Sequence, residues 1–95
     1  MPSFKIQLMG PITEFVGERE LDIQAEEGAT LSDIFTEVGR DYGEIVKKKI
    51  IAPDGDFHPY LFVSVNGTDF KELNGIDTQL NDGDEILVAL LISGG

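Results

Sequence analysis

The sequence predicts an α+β fold, a four- to five-stranded mixed sheet with one main helix packed on one face. Three observations predict it. Phe4, Ile6 and Leu8 alternate with Lys5, Gln7 and Met9, and Leu21, Ile23 and Ala25 alternate with Glu20, Asp22 and Gln24. That is the two-residue period of strands with one buried face. Leu31, Ile34, Phe35 and Val38 recur at i, i+3, i+4 and i+7, the apolar stripe of a helix that lies on a sheet. Glu85–Ile92 is a strand-length run with apolar residues on both faces.

The elements follow in order. Gly10-Pro11 stops the first strand, and an irregular stretch holding Ile12, Phe15 and Val16 runs to Gly17. The first two strands then pair as a long-looped hairpin. Thr30 caps the helix, with Asp33 where a capping box wants a longer acid. Gly39 suits the position just past the helix end. Tyr42, Ile45, Val46 and Ile50 outline a second, shorter helix. Lys47-Lys48-Lys49 lies near its C-terminus, where positive charge is favourable, and reads as a solvated helix end. Pro53-Asp54-Gly55-Asp56 is a turn. Leu61, Val63 and Val65 form a strand, Asn66-Gly67 gives the hairpin signal, and a brief strand over 68–71 returns from it. Asn74-Gly75 and Asn81-Asp82-Gly83-Asp84 are further turns.

A strand apolar on both faces is either covered twice or keeps one face for a partner. With one long helix the sheet is covered once, and a right-handed crossover from the first hairpin places that helix diagonally across it. This order is that of the ubiquitin-like β-grasp. The uncovered side of Ile86–Ile92 becomes the expected docking surface.

Composition bounds the chemistry. Ninety-five residues, 41% of them apolar, give a single domain over 1–95, with a flexible tail expected over 92–95. There is no cysteine, which excludes disulfides, thiolate metal sites and a cysteine nucleophile. His58, the single histidine, reads as a loop residue, and no metal ligand set is expected. Eighteen acidic residues against seven basic ones give a net charge of −11. Phosphate backbones would be repelled, so nucleic acid is not an expected partner, whereas a basic protein partner is favoured. The N-terminus lacks the basic-then-apolar order of a signal peptide. Ile86–Ile92, the longest apolar run, has seven residues, far short of the roughly 20 of a membrane span. A cytoplasmic protein without membrane contact is expected.

One constellation carries chemistry. The sequence ends Ser93-Gly94-Gly95. An α-carboxylate with a pKa of about 3.5 is ionised and a poor electrophile at neutral pH. It reacts once converted to an acyl-adenylate in another enzyme's active site, and residues without a β-carbon thread a narrow channel most freely. Gly95 is therefore the expected reacting residue, and Gly94 supplies clearance.

From Tyr60 onward the sequence resembles the MoaD/ThiS family of sulfur carriers. Leu61-Phe62-Val63-Ser64-Val65-Asn66-Gly67 is similar to that family's strand ending in Val-Asn-Gly. Residues 74–80 and 81–86 resemble its Gly-Leu-Asp-Thr-x-Leu and Asp-Gly-Asp-Glu-Val blocks, and Gly94-Gly95 completes the pattern. The N-terminal half agrees through Phe15 to Gly17 and the helix opening at Thr30. Residues 40–60 resemble the longer MoaD-like branch, the small subunit of molybdopterin synthase, rather than the shorter thiamin-pathway carriers. In place of that branch's Phe-Pro-Pro-like step stands Ala89-Leu90-Leu91-Ile92-Ser93, which leaves the partner open.

The resemblance implies a chain that is not catalytic alone and binds no cofactor. An E1-like adenylyltransferase, using ATP and Mg²⁺, adenylates Gly95. A persulfide donor converts it to a thiocarboxylate, and a molybdopterin synthase large subunit accepts the tail. Ile86, Val88, Leu90, Leu91 and Ile92 are the expected docking residues, assisted by Asp82, Asp84 and Glu85. Thiamin or tRNA thiolation are alternative destinations for the sulfur. A second reading is a protein modifier joined to target lysines by isopeptide bonds, and a third is a binding module with an incidental Gly-Gly end.

Overall fold

A computed structural model describes residues 1–90. The strands are β1 (Ser3–Met9), β2 (Glu20–Gln24), β3 (Leu61–Val65), β4 (Thr68–Asp69) and β5 (Glu85–Leu90). The helices are α1 (Ile12–Val16), α2 (Leu31–Tyr42) and α3 (Glu44–Ile50), and two 3₁₀ turns occupy Phe70–Glu72 and Gly75–Asp77. The strands form one mixed sheet in the order β2-β1-β5-β3-β4. β1 runs parallel to β5, and the β1–β2, β3–β5 and β3–β4 pairs are antiparallel. This is a β-grasp.

The alternation read from the sequence sets the inner face. Phe4, Ile6 and Leu8 of β1, Leu21 and Ile23 of β2, and Leu61, Val63 and Val65 of β3 are all buried. Against them α2 lays Leu31, Ile34, Phe35 and Val38, each with no accessible surface. The capping box forms as its spacing predicts. Asp33 N donates to Thr30 Oγ1 at 3.2 Å, and Thr30 N donates to Asp33 Oδ2 at 3.0 Å. Leu31 N also donates to Thr78 O (3.0 Å) and Leu80 N to Ala29 O (2.9 Å), tying the start of α2 to the segment leading into β5.

Four expectations are corrected. The stretch after Gly10-Pro11 is helical, because Ile12, Phe15 and Val16 share helical spacing and Gly17 closes the turn at φ 83°, its N–H donating to Thr13 O at 2.8 Å. α2 does not stop at Gly39. It runs on to Tyr42 with Gly43 as its C-cap, and Gly39 is there for packing. A β-carbon on it would lie 2.9 Å from Glu44 Oε1 and 3.0 Å from Lys47 Cδ of α3. The return strand after Asn66-Gly67 has two residues, since Asp69 Oδ1 accepts from Lys71 N at 2.9 Å and turns the chain into a 3₁₀ helix. Finally, the doubly apolar last strand does not offer Ile86 and Val88 to a partner, because both face α2 in the core.

That early turn carries Phe70 into the core beside another loop aromatic, Phe57. Phe35, Phe57 and Phe70 form an edge-to-face series with ring centroids 5.2 and 4.9 Å apart, a geometry worth about 0.5–1.5 kcal/mol per pair beyond burial. Phe57→Ala removes the middle ring, and we expect a loss of about 3–5 kcal/mol in urea unfolding. Thr30→Ala, which deletes one cap acceptor, should cost about 1 kcal/mol.

Candidate functional site

The terminal dipeptide Gly94-Gly95, with Leu91, Ile92 and the expected flexible tail over 92–95, lies outside the described residues. The site is therefore built from what presents this segment. β5, the strand that leads to it, sits mid-sheet between β1 and β3, paired with β1 as far as Ala89 and with β3 as far as Leu90.

Strand alternation divides β5 between two faces. Ile86 and Val88 point to the core with 1% and 0% of their surface accessible. Glu85, Leu87 and Ala89 point to the face that no helix covers. The register assembles that outer face in rows. Ala89 stands between Met9 on β1 and Phe62 on β3, and Leu87 stands between Gln7 and Ser64. Glu85 faces Lys5, whose Nζ lies 3.5 Å from Glu20 Oε1 on β2, a half-exposed pair of small energetic weight. The outer face thus changes from polar at the start of β5 to apolar at its end. Met9, 56% exposed, Phe62 and Leu87 are the side chains a partner at the tail would meet. Of the docking residues expected from the sequence, Ile86 and Val88 lie in the core instead, and Leu90 is half-buried at the end of β5.

Of the acidic residues expected to assist docking, Asp82 and Asp84 accept hydrogen bonds within the fold, while the Glu85 side chain is exposed. Asp82 Oδ1 accepts from Ser3 N at 2.7 Å. Asp84 accepts from Asn66 Nδ2 at 2.9 Å and from Asn81 N at 2.7 Å, while Glu85 N donates to Asn66 Oδ1 at 2.9 Å. These bonds tie the turn before β5 to the start of β1 and to the β3–β4 hairpin. The group also sits at the beginning of β5. Five residue steps at about 3.4 Å each separate it from Leu90 by roughly 17 Å.

Leu90, half-buried, marks where the tail begins, and the turn after β1 is packed on it. Gly10 takes φ 82°, and a β-carbon there would lie 2.8 Å from the Leu90 carbonyl oxygen. Only glycine meets both demands. Among the described residues no group of three or more histidine, cysteine or acidic side chains is close enough to hold a metal, and no helix is long and apolar enough to cross a membrane.

Residues 6–95 match the model of the ThiS family. The chain belongs to that family. Small archaeal modifier protein 3 of Haloferax volcanii is 26% identical over 91 residues, 96% of this chain and 97% of its own. A protein of Archaeoglobus fulgidus, provisionally named a sulfur carrier protein, is also 26% identical, over 98% of this chain and 99% of its own. Among solved structures, a chain of the BexX/CysO complex of Amycolatopsis orientalis superposes with a TM-score of 0.79 at 22% identity, covering 97% of this chain and 99% of that one. The fold and family expected from the sequence are those found. This ThiS-family chain thus stands among ubiquitin-like proteins named both for sulfur carriage and for protein modification.

The close approach of Gly10 to Leu90 yields a paired prediction. Gly17 also has positive φ (83°) but open space around a β-carbon. Gly17→Ala should cost about 1–2 kcal/mol of backbone strain. Gly10→Ala carries that strain and also displaces the Leu90 carbonyl, so it should cost more. Urea unfolding of the two variants makes the comparison.

Proposed function

We propose that this chain is a sulfur carrier whose Gly95 carboxylate is adenylated and then converted to a thiocarboxylate. What supports the reading above all is that the ThiS-family match runs through to residue 95 and so includes Gly94-Gly95. β5, which leads to this segment, ends beside the apolar end of the outer sheet face.

The Gly95 carboxylate attacks the α-phosphorus of ATP in an E1-like enzyme, with Mg²⁺ on the phosphates, and pyrophosphate leaves. The terminal sulfur of a persulfide attacks the acyl carbon, and AMP leaves. A thiol then cleaves the S–S bond, releasing the donor as a disulfide and leaving a thiocarboxylate on Gly95. An acceptor enzyme takes in the tail, and the sulfur attacks the substrate carbon. Partner affinity comes from the outer face around Met9, Phe62, Leu87 and Ala89, in place of the core residues Ile86 and Val88.

For the acceptor we assign the pterin precursor of the molybdenum cofactor, with a molybdopterin synthase large subunit as partner. The length of the α2–β3 segment and its likeness to the longer MoaD-like branch favour it over thiamin or tRNA thiolation. The reading as a modifier of target lysines has its own support in the likeness to small archaeal modifier protein 3 and in a tail without proline.

Intact mass of the protein, purified without reductant from cells holding its own activating enzymes, tests the proposal. The expected mass exceeds the unmodified one by the difference between sulfur and oxygen, and the increment vanishes when Gly95 is deleted. Lysine-linked conjugates in the same cells, with no thiocarboxylate on the free protein, would instead establish the modifier. An unmodified mass and no adenylate with ATP and the activating enzyme would overturn both.

A further inference from the structure

Lys47-Lys48-Lys49, read from the sequence as a solvated helix end, does not stand alone in the fold. The last turn of α3 meets α1 and the start of β3 around Leu90. There a cleft of about 200 Å³ is lined by Ile12, Phe15, Lys49, Tyr60, Leu61 and Leu90. Phe15 and Tyr60 remain 62% and 51% exposed, large aromatic rings left in water on opposite elements of one rim. Helix-end electrostatics account for the lysines but not for these rings.

The rim is arranged before anything binds. Lys49 Nζ lies 5.1 Å from the centroid of Phe15, within cation–π range. His58 stacks on Tyr60 at 5.0 Å and 14°, and its Nε2 lies 2.8 Å from Lys48 O, a separation at which the ring N–H donates to the carbonyl. Tyr60 is thereby coupled to the end of α3 through His58. Among the described residues none of the three lysines is within ion-pair distance of a carboxylate, although the chain carries eighteen acids. Three of the seven basic residues thus follow one another at the end of α3, and among the described residues Lys49, the one that lines the cleft, has no carboxylate within ion-pair distance. At 200 Å³ the cleft falls below the roughly 300–1,000 Å³ of small-molecule pockets, so its dimensions favour a single side chain of a protein partner.

We infer that this cleft is a second docking site, taking an acidic segment with an apolar or aromatic anchor from the enzyme that activates the tail. The inference rests on the proposed function for the identity of that enzyme. A carboxylate of the segment pairs with Lys49, and its anchor packs between Phe15 and Tyr60. The position fits such a partner, because Leu90 both walls the cleft and precedes the five-residue tail, whose span is at most about 18 Å. The site is local. Beyond a Debye length of about 8 Å the lysines are screened at physiological salt, and the net charge of −11 governs long-range encounter. A partner basic overall, with an acidic segment at this one contact, satisfies both.

The test measures binding of the cognate activating enzyme without ATP, and then adenylate formation with ATP. Lys49→Glu is compared with Arg40→Glu, which makes the same charge change outside the cleft. Lys49→Glu should weaken binding and raise the apparent KM for this protein about tenfold, the loss expected of a close interfacial charge, with kcat unchanged. Arg40→Glu should change either by less than about twofold, as expected of a solvent-screened charge outside the contact. A benzophenone amino acid replacing Phe15 should cross-link to a partner peptide containing an aspartate or glutamate. Equal effects of the two charge reversals, or a cross-link to a peptide without an acid, would overturn the inference. Deleting Gly95 separates the two readings: binding without adenylation leaves both standing, whereas adenylation by the deleted chain overturns the proposed function alone.

Discussion

The parallel pairing of β1 with β5 is the constraint on which the rest of the structure depends. Lys5–Met9 lies in register with Glu85–Ala89, so the two ends of the chain are zipped together in the middle of the sheet. Parallel neighbours cannot be joined by a tight turn, and here the chain between them supplies the whole helical layer. Loop-closure entropy opposes so distant a pairing. The buried rows Phe4–Ile6–Leu8 and Ile86–Val88, closed over by α2, must outweigh it. Because β5 is central, it is held by β1 as far as Ala89 and by β3 as far as Leu90, the last described residue. Gly10 adds a third restraint by packing its backbone on the Leu90 carbonyl.

Single-sided coverage gives the sheet two unlike faces. The inner face is uniformly apolar because α2 seals it. The outer face grades from Lys5 and Glu85 at one end to Met9, Ala89 and Phe62 at the other. The apolar end coincides with the tail exit, and the hydrogen-bonded acidic turn of Asp82 and Asp84 with the opposite end. This polarity follows from register alone, since moving β5 by one residue would exchange Leu87 and Ala89 for Ile86 and Val88.

Much of this was legible in the sequence. The alternation in β1 and β2, the stripe of α2, the Thr30 cap and the Asn66-Gly67 turn are local signals, and each matched the structure because nothing tertiary opposed it. What failed depended on context. In β5 both faces are apolar, so a period of two cannot say which is buried, and Ile86 and Val88 were assigned outward. Gly39 carries the composition of a helix end, yet close packing of α3 on α2 uses the same missing β-carbon. Phe57 and Phe70 stand in loops without periodicity, and only the meeting of α2 with two distant turns makes them core. The acids of residues 82–85 stand at the start of β5, and sequence adjacency to the strand does not show how far its length sets them from Leu90.

The division between tail and domain bears on specificity. A diglycine carboxylate is chemically anonymous, and any enzyme with a channel narrow enough and a bound ATP would accept it. Under the proposed function, discrimination comes from surfaces remote from the reacting carbon, whose binding energy positions the carboxylate and lowers the barrier. The two surfaces proposed for this role lie on either side of Leu90: the apolar end of the outer sheet face, and the cleft between α1, α3 and the start of β3 that Lys49, Phe15 and Tyr60 line. They differ in chemistry, one apolar and one cationic, and a partner satisfying only one leaves the other exposed or uncompensated. Two unlike contacts flanking a short, featureless tail select more sharply than one larger contact of a single kind, because a wrong partner must match both shape and charge at once.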